Sequence, residues 1–244
     1  MSRGIFITGT DTGVGKTVVT AGILRWLHQQ GVDAVPMKPV QTGAIRQGKR
    51  LIAPDLEFCL AASGIKPVAG EAGLMLPYAY EPACSPHLAG RLANNYPELA
   101  KITSCAEKLL RKHRAIVVEG AGGIMVPLNE IVTMLDLMKA LAYPVVLVAR
   151  FGLGTINHAL LSIQALQASG LNLLGVVFNH TEPPQKENQL IEADNPETIA
   201  RFGNVTVLGK LRYFENLSPE KEDIWRHFEA DISGLKNILA ELRR

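Results

Sequence analysis

The stretch Phe6-Ile7-Thr8-Gly9-Thr10-Asp11-Thr12-Gly13-Val14-Gly15-Lys16-Thr17 decides the fold. Apolar residues Ile5 to Ile7 run into a loop with three glycines, the loop ends in Gly-Lys-Thr, and apolar residues from Val18 to Leu27 follow at helical spacing. A buried strand that feeds a glycine loop and opens a helix builds a phosphate cradle. Backbone N–H groups converge, the helix N-terminus adds positive potential, and glycine lets the chain approach an anion. Lys16 is then placed to reach the outer phosphates and the Thr17 hydroxyl to hold a magnesium ion. The standard Gly-x-x-x-x-Gly-Lys-Ser/Thr pattern needs glycine at position 10, where Thr10 stands; Gly9 comes one residue early. A plain glycine turn is the alternative, but strand, loop, Lys-Thr and helix arrive in the order that a nucleoside triphosphate loop requires.

Downstream, the first helix is expected to run to about Gln30 with Gly31 as its stop. A strand from Ala34 to Met37 ends at Lys38-Pro39-Val40-Gln41-Thr42-Gly43. A lysine at the C-terminal end of a strand sits where open α/β sheets place ligands, though locally it reads equally well as a solvated surface residue. Residues 44–54 are basic and irregular and suggest a mobile loop. Asp55 then opens a helix from Leu56 to Ala62, where on local evidence it is an N-cap. Proline and glycine from Val68 to Pro86 predict a long connection with little regular structure, and Ser85-Pro86-His87 reads as an N-cap with proline at the first helical position. Helices are expected around Leu88–Asn94 and Pro97–Lys112.

Ala115-Ile116-Val117-Val118-Glu119 is a doubly buried strand that ends in a carboxylate, followed by Gly120-Ala121-Gly122-Gly123. An acid at that place, beside a thin backbone, suits a second magnesium ligand in a phosphate-loop protein. Alternation continues with a helix at Leu135–Ala142, a strand at Pro144–Ala149, a helix at Ile156–Ala168 and a strand at Leu173–Asn179. A helix over about Lys186–Arg201, a strand Val205–Leu208 and an amphipathic helix from about Ile232 to Leu242 complete the reading. Strands separated by helices predict a single α/β domain over residues 1–244, three layers α/β/α around a mainly parallel sheet of the phosphate-loop NTPase type.

Composition agrees with an ordinary globular protein: 47% of the 244 residues are apolar, 20% are charged, and the net charge is +2. No basic stripe interleaved with aromatics points to nucleic acid. No apolar run approaches the roughly 18 residues of a membrane span. The three cysteines, Cys59, Cys84 and Cys105, lack metal-ligand spacing and read as reduced, buried thiols. With the loop beginning so close to Met1, no signal peptide is expected, and a cytoplasmic location follows as the expectation.

Four blocks together, Thr8 to Thr17, Lys38 to Gly43, Val118 to Gly123 and Gly154-Thr155-Ile156-Asn157-His158-Ala159, resemble the dethiobiotin synthetase family; Asn179 with Pro183-Pro184 also fits. The resemblance covers positions 3 to about 215, and the displaced first glycine is itself the family's form of the loop. It implies ATP- and magnesium-dependent closure of the ureido ring of dethiobiotin in biotin synthesis. Diaminopelargonate and carbon dioxide form a carbamate, ATP phosphorylates it, and the second amine displaces phosphate. It further implies Lys16 and Lys38 as catalytic residues, and Thr17, Asp55 and Glu119 as metal ligands. Nucleotide contacts would come from Gly13, Val14, Gly15, Lys16, Thr17 and Val18, from Asp55, from Glu119, Gly120, Ala121 and Gly122, from Asn179 and His180, and from Leu211, Arg212 and Tyr213. Thr12, Lys38, Thr42, Gly154 and Asn157 would meet the substrate, the last two across a homodimer interface.

The chain departs from the family at Leu211-Arg212, where Ile-Pro is common, and at Gly13, where some members carry glutamate. A nucleotide-switched dimer of the partitioning or septum-placement type is a competing reading, but its usual lysine near the loop start is replaced here by Asp11-Thr12. A cobyrinic acid amidase-type synthetase shares the loop but needs a glutaminase domain for which 244 residues leave no room. His87 recurs in the family and receives no catalytic role.

Overall fold

The computed structural model describes residues 3–48 and 50–243, so Lys49 of the basic stretch lies outside the described residues, as do residues 1–2 and 244. In chain order the strands are β1 (Gly4–Gly9), β2 (Ala34–Met37), β3 (Val40–Thr42), β4 (Ile45–Gln47), β5 (Arg50–Ile52), β6 (Tyr78–Tyr80), β7 (Ala115–Gly123), β8 (Val145–Arg150), β9 (Leu173–Asn179) and β10 (Val207–Leu211). The helices are α1 (Lys16–Gln29), α2 (Pro54–Ser63), α3 (Ala72–Met75), α4 (Pro86–Leu92), α5 (Leu99–Lys112), α6 (Met134–Leu141), α7 (Thr155–Ala168), α8 (Gln189–Gly203), α9 (Glu222–Asp231) and α10 (Leu235–Arg243).

Six strands form one sheet in the order β10-β9-β8-β1-β7-β2, and every pairing in it is parallel. Successive residues of the inner strands point into opposite cores. Ile5, Ile7, Val117, Val146 and Val177 pack with α1, α9 and α10 through Ile23, Phe228 and Ile238. Phe6, Ile116 and Val118 pack with α5 and α6 through Ile102, Leu109 and Leu137. Leu147 and Phe178 face Ile163 of α7 and Ile199 of α8. Burial on both faces is why these strands read as unbroken apolar runs, and the expected three-layer architecture is what the chain adopts.

Several local expectations are corrected. Residues 44–54 contain the antiparallel hairpin β4–β5, pinned to the segment after β6 by a fork of Arg46 onto Glu81, at 2.8 Å and 2.5 Å. The connection from Val68 to Pro86 contains α3 and β6, and β6 pairs in parallel with β3. The N-cap of α2 is Ala53, with Pro54 at the first helical position, so Asp55 is not a cap. Strand β10 begins two residues later than expected, and the tail has an additional helix, α9, that buries Trp225 and Phe228 against the core. None of the helices among the described residues is long and apolar enough to cross a membrane.

Candidate active site

Register brings the first three motifs into one row. Met37 pairs with Val118, which places Lys38 beside Glu119, and Ile7 pairs with Glu119 itself, two residues before the glycine loop begins. All three lie at the C-terminal ends of neighbouring strands, the crevice where open parallel sheets bind ligands. The chain skips from β1 to edge strand β2 and returns through β7 before crossing to β8, so the crevice lies beside the central strand.

The loop has the backbone a phosphate cradle needs. Gly13 and Gly15 have φ of 77° and 95°, in the left-handed region, and Gly15 is the N-terminal cap of α1. A Cβ on Gly15 would lie 2.0 Å from Asn179 Nδ2, so glycine is required there for space as well as for conformation. The Asn179 amide in turn donates to Val14 O at 3.0 Å and ties the end of β9 to the loop. Lys16 donates to Asp11 O at 2.8 Å, across the loop.

Lys38 is 4% exposed, so it is not a solvated surface lysine. Its Nζ lies 2.7 Å from Asp55 Oδ2 and 2.7 Å from Glu119 Oε1, and donates to Gly120 O at 3.3 Å. The Thr17 hydroxyl donates to the same Glu119 Oε1 at 2.9 Å. Burial pushes the Lys16 ammonium down, the charge on Lys38 adds to this, and the result is about 8. Burial also opposes the charge on Lys38, but Glu119 and Asp55 outweigh it and hold that ammonium above its ordinary value. Two buried cations thus share one patch with the buried Glu119 and the half-buried Asp55, and each cation has oxygen partners.

The patch floors a cavity of about 620 Å³. Of the residues expected in the site, Thr12, Gly13, Gly15, Lys16, Thr17, Lys38, Thr42, Asp55, Glu119, Ala121 and Gly122 line it. Val14 and Val18 are buried beneath the loop, and Gly120 contributes its carbonyl. The donor set fits a hard cation. A hydroxyl and two carboxylates converge, with no three-residue cluster of His, Cys, Asp or Glu among the described residues to make a closed protein cage. Such a set suits magnesium, which keeps waters and shares phosphate oxygens.

Other expected residues lie apart from this cavity. His180 stacks on Phe151 with ring centroids 3.9 Å apart and donates its backbone N–H to Leu211 O at 3.0 Å. Burial lowers the His180 imidazole, with Glu192 opposing. Leu211 is buried, and the Arg212 guanidinium is held by Asp231 through contacts of 2.8 Å and 2.6 Å, so it points into a pair with α9. Tyr213 follows half-buried. Gly154, with φ 89°, caps α7, and Asn157 is exposed on the first turn of that helix.

Some of the lining carried no sequence signal for the cavity, although Ser85-Pro86 read as a helix start. Ala83 to Pro86 form one wall of the cavity, brought there by β6 pairing with β3. Cys84 lies in that wall half-buried, unlike the buried Cys59 and Cys105. Cys59 Sγ donates to Thr17 O at 3.7 Å and lies 4.0 Å from Glu119 Oε2; burial and that carboxylate push its thiol well above the ordinary range.

A family model described as an AAA domain matches residues 3–221. The ATP-dependent dethiobiotin synthetase BioD of Halalkalibacterium halodurans is 40% identical over 232 residues, covering 94% of this chain and 93% of the relative. The protein of the same name from Clostridium novyi is 38% identical, covering 91% and 92%. Among solved structures, the cell division ATPase MinD of Pyrococcus furiosus superposes with a TM-score of 0.60 at 15% identity over 94% of this chain and 99% of that one, a likeness of fold alone. At these identities, over more than nine-tenths of both chains, the chain belongs to the ATP-dependent dethiobiotin synthetase family.

Proposed function

We propose that the chain closes the ureido ring of dethiobiotin from diaminopelargonate, carbon dioxide and ATP, with Mg2+ held by Thr17, Asp55 and Glu119. The observation that carries the reading is the convergence of Lys16 and Lys38 on one cavity beside the phosphate loop. A carbamate is a poor acylating agent because its leaving group would be oxide. Transfer of the γ-phosphoryl group to a carbamate oxygen expels ADP and gives a mixed anhydride. The second amine attacks the carbonyl carbon, loses a proton, and expels phosphate. Both the carbamate and the triphosphate are anions, so the demand is for positive charge and positioning more than for covalent catalysis.

Lys16, opposite the loop amides, takes the outer phosphates. Lys38 reaches the same cavity from β2 and neutralises the oxygens between which the phosphoryl group moves. Magnesium, when bound, supplies further charge to the phosphates. Thr12 and Thr42, which both line the cavity, offer hydroxyls to the carbamate and the amine. Asn179 and the backbone at Leu211 to Tyr213 form the base-binding side. Because Asp231 engages both the Arg212 guanidinium and its backbone N–H, and Leu211 O accepts from His180, that contact is assigned to the Arg212 carbonyl and the Tyr213 backbone.

Gly154 and Asn157 serve the far carboxylate of the substrate from a second copy of the chain. Their support is an exposed apolar surface around the α7 start, with Leu153 87% and Leu161 58% exposed, together with Met125 at 61%. Incubation with diaminopelargonate, bicarbonate, magnesium and ATP tests the reading. Dethiobiotin and phosphate are expected in equal amounts; nucleotide hydrolysis that is indifferent to the diamine contradicts it.

A further inference from the structure

We propose that Lys38 is a place-holder cation: its ammonium and the divalent metal compete for Asp55 and Glu119, and the metal enters only when a triphosphate draws the ammonium away. The inference rests on the metal reading of Thr17, Asp55 and Glu119 given above.

Three observations support it. The first is saturation of the shared oxygen. Glu119 Oε1 accepts from Thr17 Oγ1 at 2.9 Å and from Lys38 Nζ at 2.7 Å. A carboxylate oxygen offers two lone-pair sites, so a cation that binds Oε1 must displace one of these donors. The other oxygen, Oε2, lies 4.0 Å from the Cys59 thiol on the buried side. Asp55 Oδ2, 2.7 Å from the same ammonium, is shared with Lys38 in the same way.

The second is charge. Lys16 and Lys38 balance Asp55 and Glu119 within a patch where both lysines and Glu119 are buried. A dication added alone would leave an uncompensated double charge against an ammonium at short range, where the low dielectric makes the repulsion large. A triphosphate arriving with the metal reverses the sign of the excess and offers new acceptors.

The third is reach. Lys38, Lys16 and Gly15 line one cavity, so an ammonium on a flexible four-carbon stem can exchange carboxylate for phosphate partners without movement of β2. The same motion that opens the metal ligands delivers the charge to the transferring group. Metal loading and catalytic alignment are then one event.

The test uses the full chain and Mn2+ as a paramagnetic probe, with binding read by electron paramagnetic resonance. Without nucleotide, Lys38→Met is expected to bind Mn2+ about tenfold or more tighter than the wild type, because an adjacent positive charge is gone. Lys38→Arg, which keeps the charge, is expected to stay as weak as the wild type. If Lys38→Met does not fold, Asp55→Asn/Lys38→Met is compared with Asp55→Asn, since loss of one charge of each sign keeps the patch balanced; the double variant is expected to bind more tightly. Equal Mn2+ affinity with and without Lys38 overturns the competition. The metal reading is tested separately by Glu119→Gln in the presence of a non-hydrolysable ATP analogue. Weakened Mn2+ binding there supports the ligand set, and unchanged binding overturns that set itself.

Discussion

The phosphate end of the crevice and the surface at the start of α7 are built in opposite ways. At the first, Lys16, Lys38, Asp55, Glu119 and Thr17 come from four segments of one chain, and each finds a partner among the others or in the backbone. At the second, Asn157 is exposed, Leu153 is 87% exposed, and an open groove of about 520 Å³ runs between Met125 and Leu161. Buried charge is tolerable only when paired, and in the first region every charged group has its partner within the chain. Exposed apolar groups around Asn157 instead suit the second surface that the proposed function calls for. Under the proposed function, the difference separates the triphosphate end, built from one chain, from the end that would grip the far carboxylate of the diamine with a second copy.

The largest effect that would break this contrast is loss of Lys38. Lys38→Ala is expected to lower turnover by about 10²-fold or more, since a preorganised charge at the transferring group is removed. It also leaves Glu119 buried beside an unpaired space, at a cost of about 3 kcal/mol, read from denaturant unfolding. Near-full activity in a folded variant would remove Lys38 from the reaction.

The second region is probed by Leu153→Asp with Leu161→Asp. Charges on the exposed apolar surface are expected to weaken self-association by about 2 kcal/mol, visible as a shift to the monomer in light scattering. Nucleotide affinity should hold while the Michaelis constant for the diamine rises. An equal loss of nucleotide binding would mean that the two regions are not separable as described.

Smaller effects sharpen the comparison. Asp55→Asn is expected to raise the magnesium concentration for half-maximal activity by about tenfold, and an unchanged titration would return Asp55 to a structural role. Lys16 sits at about 8, below its unfolded value of 10.5. Only its ammonium attracts phosphate, so nucleotide affinity in the free enzyme should fall by up to about tenfold per pH unit above that value. The linked sign for stability is opposite. Between 8 and 10.5 the unfolded chain carries the extra proton, so the nucleotide-free fold gains stability as pH rises through that window. The smallest effect is expected for Arg212→Ala. Arg212 is half exposed and Asp231, though only 11% exposed, keeps the Arg212 backbone N–H as donor, so the melting temperature should drop by no more than about 4 °C, with nucleotide affinity within about twofold.

The same contrast explains what was legible in the residues. The strand Ile5 to Ile7, the glycines at 13 and 15 and the helix after Lys16 are local signals, and periodicity and backbone freedom declare them without reference to the rest of the chain. Lys38 is different. Nothing near it shows that it is buried, because its partner Glu119 stands 81 positions away and only strand register brings them together. Asp55 looked like a cap because Pro54 and Asp55 both belong to helix starts, and the choice between them depends on where Lys38 lies. The hairpin β4–β5 was hidden because all three residues of β4 are exposed and those of β5 are at most half-buried, so no alternation marks it. The wall from Ala83 to Pro86 follows from pairing of two three-residue strands, β3 and β6, too short to declare themselves.

The most direct measurement follows the oxygen atom that ring closure must transfer. With oxygen-18-labelled carbon dioxide, the diamine, magnesium and ATP, the carbamate oxygen that accepts the phosphoryl group leaves with it. One labelled oxygen per released phosphate is therefore expected at early times. Phosphate carrying only solvent and ATP oxygen, with dethiobiotin still formed, would contradict phosphorylation of the carbamate at the Lys16–Lys38 site.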